Sequence, residues 1–199
     1  MMKRPQLYPV LASLLDYPAS DFRDVAGQGQ AIIDQHHPEA ARHFAVLRDY
    51  FAKTPLEQVE ETYARTFDVN AVCHLDVGYQ LFGEDYKRGA LLVELSRVQK
   101  EANNDTGFEL ADHLPCLLRV LPKMAIEEER SELARKLVLP AMKKMIASFK
   151  DGSENAYLFL LHAIYAVLEN DFGPAEEFPV QPDIASEIPP EVEREGTYV

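Results

Sequence analysis

The run YLFLLHAIYAVL, residues 157–168, decides the fold of this chain. Apolar side chains fill nearly every position, so a helix over this run leaves almost no polar face. Such a helix is stable in water only when other elements cover it on all sides. We expect it to begin at Ser153 and Glu154 and to lie at the centre of the protein.

The rest of the sequence has the apolar spacing of helices that surround a central one. Ser20 or Asp21 and Thr54 are expected to cap two of these helices, and Pro140 is expected to kink a third. No stretch alternates with period two for long enough to indicate a sheet. The sequence therefore predicts an all-α, single-domain bundle of about seven to eight helices. The predicted helices cover residues 5–17, 20–36, 38–53, 55–67, most of 69–82, 86–102, 112–121, 127–150 and 153–170.

The formal net charge of −13 narrows the choice of partners. Nucleic-acid binding depends on Lys and Arg side chains gathered in a basic stripe, and the sequence has no such stripe. An acidic surface suits a cationic partner instead. We also expect no stable membrane insertion, because no apolar run reaches the roughly 18 to 20 residues that a spanning helix needs.

The two ends of the chain differ from its middle. Residues 171–199 contain eight acidic residues, one arginine and five prolines, which predicts a flexible acidic tail after a helical domain of residues 1–170. Lys3 and Arg4 followed by apolar residues superficially resemble a signal peptide, but Pro9 interrupts that run and Asp16 closes it. Two cysteines without a CxxC pair suit a reducing compartment, so we expect a cytoplasmic protein.

Three short runs stand at predicted helix junctions: ETYARTFD at 61–68, LFGEDYKRG at 81–89 and ELADHLP at 109–115. At a helix end, backbone N–H and C=O groups lack partners within the helix and must find others. The backbone of a second chain can bind at such a place.

Cys73, His74 and Asp76, together with Asp112 and His113, raise the question of a metal site. Structural zinc takes four ligands, usually in spaced pairs, and adjacent Cys and His side chains point in different directions. We therefore expect no metal and no cofactor. The alternative function is a metal-dependent hydrolase of an all-helical fold that uses His74, Asp76, Asp112 and His113.

The three runs contain the patterns YxxxFD at 63–68, GxxxxRG at 83–89 and ELxDHLP at 109–115. In this order and at these separations they resemble the NarJ group of molybdoenzyme assembly chaperones. This group is also called the nitrate reductase delta subunit family and is related to the TorD and DmsD chaperones. The resemblance covers about residues 7–170, and the third pattern is its most specific part.

The resemblance implies an all-helical chaperone that is not an enzyme. Members of the group bind the N-terminal segment of a molybdenum-containing catalytic subunit, keep it competent for insertion of iron–sulfur clusters and molybdenum cofactor, and delay its membrane docking. The expected client is a respiratory nitrate reductase, and proteins of molybdenum cofactor biosynthesis are further expected partners. The expected peptide-binding residues are Tyr63, Phe67, Asp68, Tyr79, Phe82, Arg88, Gly89, Asp112, His113, Leu114 and Pro115.

Several of these residues have a second interpretation. Asp112 suits the N-cap of the helix that follows as well as contact with a ligand. Arg88 suits a fork for a client carboxylate or carbonyl as well as an internal salt bridge to Asp68 or Asp112, and Gly89 would then allow close helix approach. His113 suits either a pH-dependent charge or a structural hydrogen bond.

The aromatic candidates divide in the same way. Tyr63 and Phe67 share a helical stripe with Leu56 and Val59, which is typical of core residues. Tyr79 and Phe82 lie in a less periodic segment, so we expect them to line a groove.

Overall fold

The computed structural model describes residues 5–176, and all regular structure in this part of the chain is helical. The prediction of an all-α bundle is thus confirmed. A 3₁₀ turn, Leu121–Lys123, follows α7, and a π-helical stretch, Leu133–Val138, joins α8 to α9. The α-helices are α1 Leu7–Ser13, α2 Phe22–His36, α3 Pro38–Lys53, α4 Leu56–Phe67, α5 Val77–Phe82, α6 Tyr86–Glu101, α7 Leu114–Val120, α8 Glu127–Glu132, α9 Leu139–Ala147 and α10 Ala156–Phe172.

Helix α10 lies at the centre, as its sequence predicts. It packs most extensively against α3 and also against α9, and α2 covers the other side of α3. The helix begins slightly later than the expected start at Ser153 and Glu154, because Asn155 is the N-cap and its Oδ1 accepts a hydrogen bond from the Tyr157 N–H at 2.9 Å. The buried residues of α10 are Ala156, Tyr157, Leu160, Leu161, Ala163, Ile164, Val167 and Leu168.

The other predicted helix starts have mixed outcomes. Helix α3 begins at Pro38 as expected, and the Asp85 side chain caps α6 by accepting a hydrogen bond from the Lys87 N–H at 2.8 Å. At α2, Asp21 stands at the N-cap, one of the two positions predicted, but its side chain makes no capping bond. The cap predicted at Thr54 is wrong, because the N-cap of α4 is Pro55.

The disturbance predicted at Pro140 takes the form of the π-helical stretch. Proline has no N–H to donate to the carbonyl four residues earlier, and its ring crowds that carbonyl. The wider π turns end just before Pro140, which stands in the first turn of α9, where the missing N–H leaves no bond unmade. The single helix expected over 127–150 is therefore three segments that end at Ala147.

Residues 69–82 are only partly helical, contrary to expectation. The chain turns sharply after α4: the N–H groups of Val72 and Cys73 both donate to the Thr66 carbonyl, at 2.9 and 3.2 Å, and Asn70 has a positive φ of 49°. Helix begins only at Val77. This turn brings residues 74–76 back beside the end of α4.

Helix α6 lies at the edge of the bundle, with α5 as its main neighbour. We expected Leu91, Leu92, Leu95 and Val98 to be buried, but only Leu95 is, while the other three are half-buried. Apolar residues at helical spacing do not by themselves place a helix in the core. Burial also requires neighbouring helices on more than one side of it.

The chain after Asn170 does not leave the domain at once. Helix α10 continues to Phe172, the Tyr8 hydroxyl donates to Asp171 Oδ2 at 2.9 Å, and Glu176 pairs with Arg135. Residues 171–176, which the sequence assigns to the tail, thus contact the helical domain, and residues 177–199 of the predicted tail lie outside the described part. Between residues 5 and 176, no helix is long and apolar enough to cross a membrane.

Candidate functional site

A cleft of about 330 Å³ opens where three distant segments of the chain meet. The C-terminal half of α4, the loop before α5 and the segment before α7 each supply part of its wall. Two of the three junction runs, 61–68 and 109–115, thus face the same space. The lining residues are Tyr63, Phe67, Asp68, His74, Leu75, Asp76, Glu109 and His113.

Aromatic rings join the α4 wall of the cleft to the central helix. Tyr63 and Phe67, one helical turn apart on α4, have ring centroids 5.2 Å apart in an edge-to-face arrangement. Both rings also pack edge-to-face on Tyr157 of α10, with centroids 5.6 and 5.2 Å away. Aromatic pairs of this geometry are favourable beyond the area they bury. They hold this wall of the cleft against the centre of the bundle.

Backbone hydrogen bonds join the other two walls. The Val77 N–H donates to the Asp112 carbonyl and the Leu114 N–H donates to the Leu75 carbonyl, both at 2.9 Å, so that Asp76 and His113 form an isolated antiparallel bridge. These are backbone groups at the starts of α5 and α7, which have no partner within their own helices. The first N–H group of each helix is therefore bonded to a carbonyl of the segment before the other helix. This pairing brings the side chains of residues 76 and 113 to the cleft.

Behind the cleft lies an ion pair between Arg88 and Asp112. Arg88 Nε donates to Asp112 Oδ2 at 3.0 Å, and the Gly78 N–H donates to the same oxygen at 3.1 Å. Asp112 is 0% exposed, so its carboxylate depends on these donors in place of water. Burial alone would lower the pKa of the Arg88 guanidinium, but the hydrogen bond and charge of Asp112 outweigh it and raise the pKa above its ordinary value.

Gly78 is the residue that permits this close approach. A Cβ atom at this position would stand 2.7 Å from Asp112 Oδ2, which is nearer than real Cβ atoms come, and 3.1 Å from Arg88 Cγ, which is a tight contact. Gly89, to which we assigned the close helix approach, would meet nothing within 4 Å. That prediction is wrong because Gly89 lies on the exposed side of α6.

Asp76 connects the buried pair to the cleft. Its Oδ2 lies 3.4 Å from Arg88 Nη2, and its Oδ1 lies 3.2 Å from His113 Nδ1, which must carry the proton because a carboxylate can only accept. The hydrogen bond from His113 lowers the pKa of Asp76 below its ordinary value, against the opposing effect of burial. We call Arg88, Asp112, Gly78, Asp76 and His113 the Arg88 network.

The structure brings only some of the predicted site residues to the cleft. Tyr63, Phe67, Asp68 and His113 line it. The prediction of Asp112 as an N-cap is wrong: α7 begins at Leu114 with His113 in the N-cap position, and Asp112 is buried against Arg88. The internal salt bridge between Arg88 and Asp112 is confirmed.

The remaining predicted residues lie outside the cleft wall. Tyr79 stands beside the network, with its ring 5.1 Å from that of His74 and the Arg88 guanidinium 5.6 Å from its centroid. Phe82 is half-buried at the end of α5, while Leu114 and Pro115 are buried in α7. The groove lining expected of Tyr79 and Phe82 is instead supplied by Leu75 and His74.

Two wall residues, Leu75 and Glu109, are absent from the residues that the sequence predicts for the site. Glu109 stands three residues before Asp112 in the ELxDHLP pattern, and that pattern is the signal that points to it. His74 and Asp76 were predicted only as metal ligands. Residues 74–76 reach the cleft through the turn after α4, which neither periodicity nor capping rules indicate.

Potential ligands for a metal ion are dispersed or already bonded. Among residues 5–176 no group of three or more His, Cys, Asp or Glu side chains is placed to hold a metal ion. Both cysteines are buried, and burial raises the pKa of the Cys73 thiol to about 12 and that of Cys116 to about 11. Neither thiol is ready to act as a thiolate nucleophile or ligand at neutral pH.

Comparison with known proteins adds no identification. No protein-family description matches the chain, and no curated protein sequence matches it at a significant level. What the site does must therefore be inferred from its own residues and from the resemblance of the three runs.

Proposed function

We propose that this protein is a cytoplasmic assembly chaperone, rather than an enzyme, that binds the N-terminal segment of a molybdenum-containing catalytic subunit. The expected client is a respiratory nitrate reductase. Binding would keep the subunit available for molybdenum cofactor insertion and would end when the subunit joins its complex. The resemblance of the three runs supplies the identity of the client, and the cleft supplies a place to bind it.

The convergence of the three runs is the observation that carries this proposal. Runs 61–68 and 109–115 line one cleft, and run 81–89 contributes Arg88 behind it. A binding site is commonly a concave surface where a few polar groups meet an apolar wall. Here the largely buried side chains of Tyr63, Phe67 and Leu75 form the apolar part of the lining, and carboxylates and imidazoles form the larger polar part.

The volume of the cleft limits how a client can bind. At about 330 Å³ it stands at the lower end of typical ligand pockets, which span roughly 300 to 1,000 Å³. It has room for one or two side chains rather than for a whole helix. The client would anchor these side chains in the cleft and lay its remaining residues over the surrounding surface, a variant of the helix-in-groove mode.

The affinity of such a contact suits temporary binding. Each large apolar side chain that is buried contributes about 1.5 to 3 kcal/mol, and ordering of the segment offsets part of this gain. A few such contacts give dissociation constants between micromolar and nanomolar. A client held this weakly can be released to its complex.

Calorimetry with a synthetic N-terminal peptide of the nitrate reductase catalytic subunit from the same genome tests the proposal. We expect saturable binding at one site per chain, and a scrambled peptide of equal composition serves as the control. Equal binding of the two peptides, or binding of neither, would contradict the proposal. Arg88→Ala and Asp112→Ala should also weaken binding, but through the shape of the cleft, because Asp112 is out of reach of a ligand.

A hydrolase function has no support from the position of its four expected residues. Asp112 is bonded to Arg88 and Gly78, and Asp76 is bonded to Arg88 and His113. Elemental analysis of the purified protein still separates the two functions, since a metal-dependent hydrolase requires stoichiometric zinc, iron or manganese.

A further inference from the structure

The carboxylates around the cleft fall into two groups. Both oxygens of Asp76 are engaged, one by His113 and the other by Arg88, and nearby Asp16 pairs with Arg119. Asp68 and Glu109 line the same cleft but form no ion pair with any residue between 5 and 176. These two are therefore the carboxylates that an incoming cation can engage without displacing an existing partner.

Asp68 and Glu109 act on the same small region. Both side chains are exposed at the cleft mouth, on walls that come from different parts of the chain. Burial raises the pKa of the Tyr63 hydroxyl, and the negative charges of Asp68, Asp16 and Glu109 raise it further. The two free carboxylates are thus close enough to one cleft residue to combine their negative potential there.

Exposed apolar side chains are the sequence neighbours of these carboxylates. In the chain, Glu109 stands between Phe108, which is fully exposed, and Leu110, which is 49% exposed. Val69, which follows Asp68, is 66% exposed, and the half-exposed ring of Tyr17 packs edge-to-face on Tyr63 at 5.5 Å. Large apolar side chains that stay exposed are typical of a binding surface. Here each free carboxylate has at least one of them next to it in the chain.

We propose that Asp68 and Glu109 together bind one cationic side chain, preferably an arginine, of a client segment whose apolar residues pack on Phe108, Leu110 and Val69. This deepens the proposed function and rests on it for the identity of the client. It assigns recognition of the client's charge to the cleft mouth and leaves Arg88 and Asp112 as positioning residues. Arginine is preferred because its planar fork of donors matches two carboxylates and its flat face packs on aromatic rings.

Charge also decides among the occupants that the cleft could have. Residues 177–199 of the chain contain six acidic residues and one arginine, so this segment would bring negative charge toward Asp68 and Glu109. A second copy of the chain, with a net charge of −13, is repelled in the same way. A separate cationic, apolar segment is the occupant that the cleft favours.

Two designed peptides test the assignment without relying on a natural client. One is a helix-forming peptide with a central arginine and leucines three and four positions to either side, and the other has citrulline, which keeps the shape and removes the charge, in place of that arginine. Binding of both to the full chain is measured by fluorescence anisotropy at low and high salt. The protein variant is Asp68→Asn with Glu109→Gln, and its matched control is Asp24→Asn with Glu129→Gln, two exposed acids that do not line the cleft.

We expect the wild-type chain to bind the arginine peptide about tenfold more tightly than the citrulline peptide at low salt, the sum of two exposed ion pairs. The Asp68/Glu109 variant should lose this preference, and the Asp24/Glu129 control should keep it. Equal binding of both peptides by the wild type, or a preference that survives in the Asp68/Glu109 variant, would overturn the assignment. So would failure of the arginine peptide to bind.

The same titrations examine the other occupants and separate the two proposals. Displacement of the arginine peptide by a synthetic peptide of residues 177–199, or self-association that the Asp68/Glu109 variant abolishes, would assign the cleft mouth to another occupant. If the nitrate reductase peptide fails while the designed arginine peptide binds through Asp68 and Glu109, the proposed client is wrong and the charge recognition stands. If the natural peptide binds equally well to the Asp68/Glu109 variant, the reverse holds.

Discussion

Asp68 ends the first motif run and Asp112 lies in the third, and the two carboxylates have opposite surroundings. Asp112 is completely buried, bonded to Arg88 and to the Gly78 N–H, whereas Asp68 is exposed at the cleft mouth and has no ion-pair partner in the described part of the chain. A buried carboxylate without partners would destabilise the fold by several kcal/mol. Asp112 is therefore part of the Arg88 network, which shapes the cleft and which we also call the framework. The difference teaches that presence in a motif does not decide whether a residue shapes a site or meets its ligand.

Arg88→Ala should have the largest effect on this comparison. It leaves Asp112 buried without its cation, and removal of one partner from a buried ion pair costs about 3 to 5 kcal/mol. Urea denaturation measures the loss in free energy of unfolding. Arg97→Ala on the same helix is the control, because the pairs of Arg97 with Glu94 and Glu101 are exposed. Equal stability of the two variants would mean that the buried pair does not hold the framework.

Gly78→Ala and Gly89→Ala form a matched pair with opposite expected signs. At Gly78 the new methyl group meets Asp112 Oδ2 at 2.7 Å, and overpacking of this kind costs about 1 to 3 kcal/mol. At Gly89 it meets open space inside a helix, where alanine is about 0.5 to 1 kcal/mol better than glycine. Thermal unfolding of both variants checks the signs. A stabilising alanine at 78 would contradict the close approach described for it.

Asp76→Asn should change the dependence of stability on pH. The His113 hydrogen bond lowers the pKa of Asp76 in the folded protein, so the ionised carboxylate stabilises the fold above the ordinary carboxyl value. That stabilisation, about 1 kcal/mol, is lost as the pH falls below roughly 4 and through the lowered folded value. The difference in stability between wild type and Asp76→Asn should therefore be constant near neutrality and close in acid. A gap that persists unchanged in acid would show that the charge of Asp76 is not its source.

The Asp68→Asn, Glu109→Gln double variant should have the smallest effect on stability. Both side chains are exposed and neither holds another element, so exposed substitutions of this kind change stability by less than about 0.5 kcal/mol. We expect a melting temperature equal to that of wild type together with weaker binding of a cationic peptide. This result would show that Asp68 and Glu109 contact the ligand and do not support the fold. A clear loss of stability would place the two carboxylates in the framework instead.

The parts of the fold that the sequence predicted are those that depend on local pattern. An apolar run without a polar face could only become the central helix, and Pro38 could only open one. The predictions that failed needed knowledge of distant neighbours. The position of Asp112 before a helix looks like a cap until Arg88, 24 residues away, is known to contact it. The apolar residues Leu91, Leu92, Leu95 and Val98 of α6 resemble a core stripe until the position of the helix at the edge of the bundle is known.

The candidate site, like the fold, was predicted only in part from the sequence. Runs 61–68 and 109–115 converge on one cleft, and Tyr63, Phe67, Asp68 and His113 are among the residues that the sequence predicts for it. Leu75 was not predicted and Asp76 was predicted only as a metal ligand, because the turn that returns residues 69–76 to the end of α4 rests on two backbone bonds to one carbonyl and on a positive φ at Asn70. A turn of this kind produces no periodic pattern of apolar residues, so the pattern cannot predict it.

The contact of Tyr157 with Tyr63 and Phe67 has a consequence for how the protein is made. The wall of the cleft depends on rings from α4, but the ring that supports them, and the Asn155 amide that donates to Thr66 at 2.8 Å, belong to the last helix. During synthesis, all eight cleft-lining residues and the Arg88 network are made before α10, so the two walls that the network joins can form first. The α4 wall gains its support from Tyr157 and Asn155 only after residues 155–157 have been added, so the complete cleft forms late in the folding of a newly made chain.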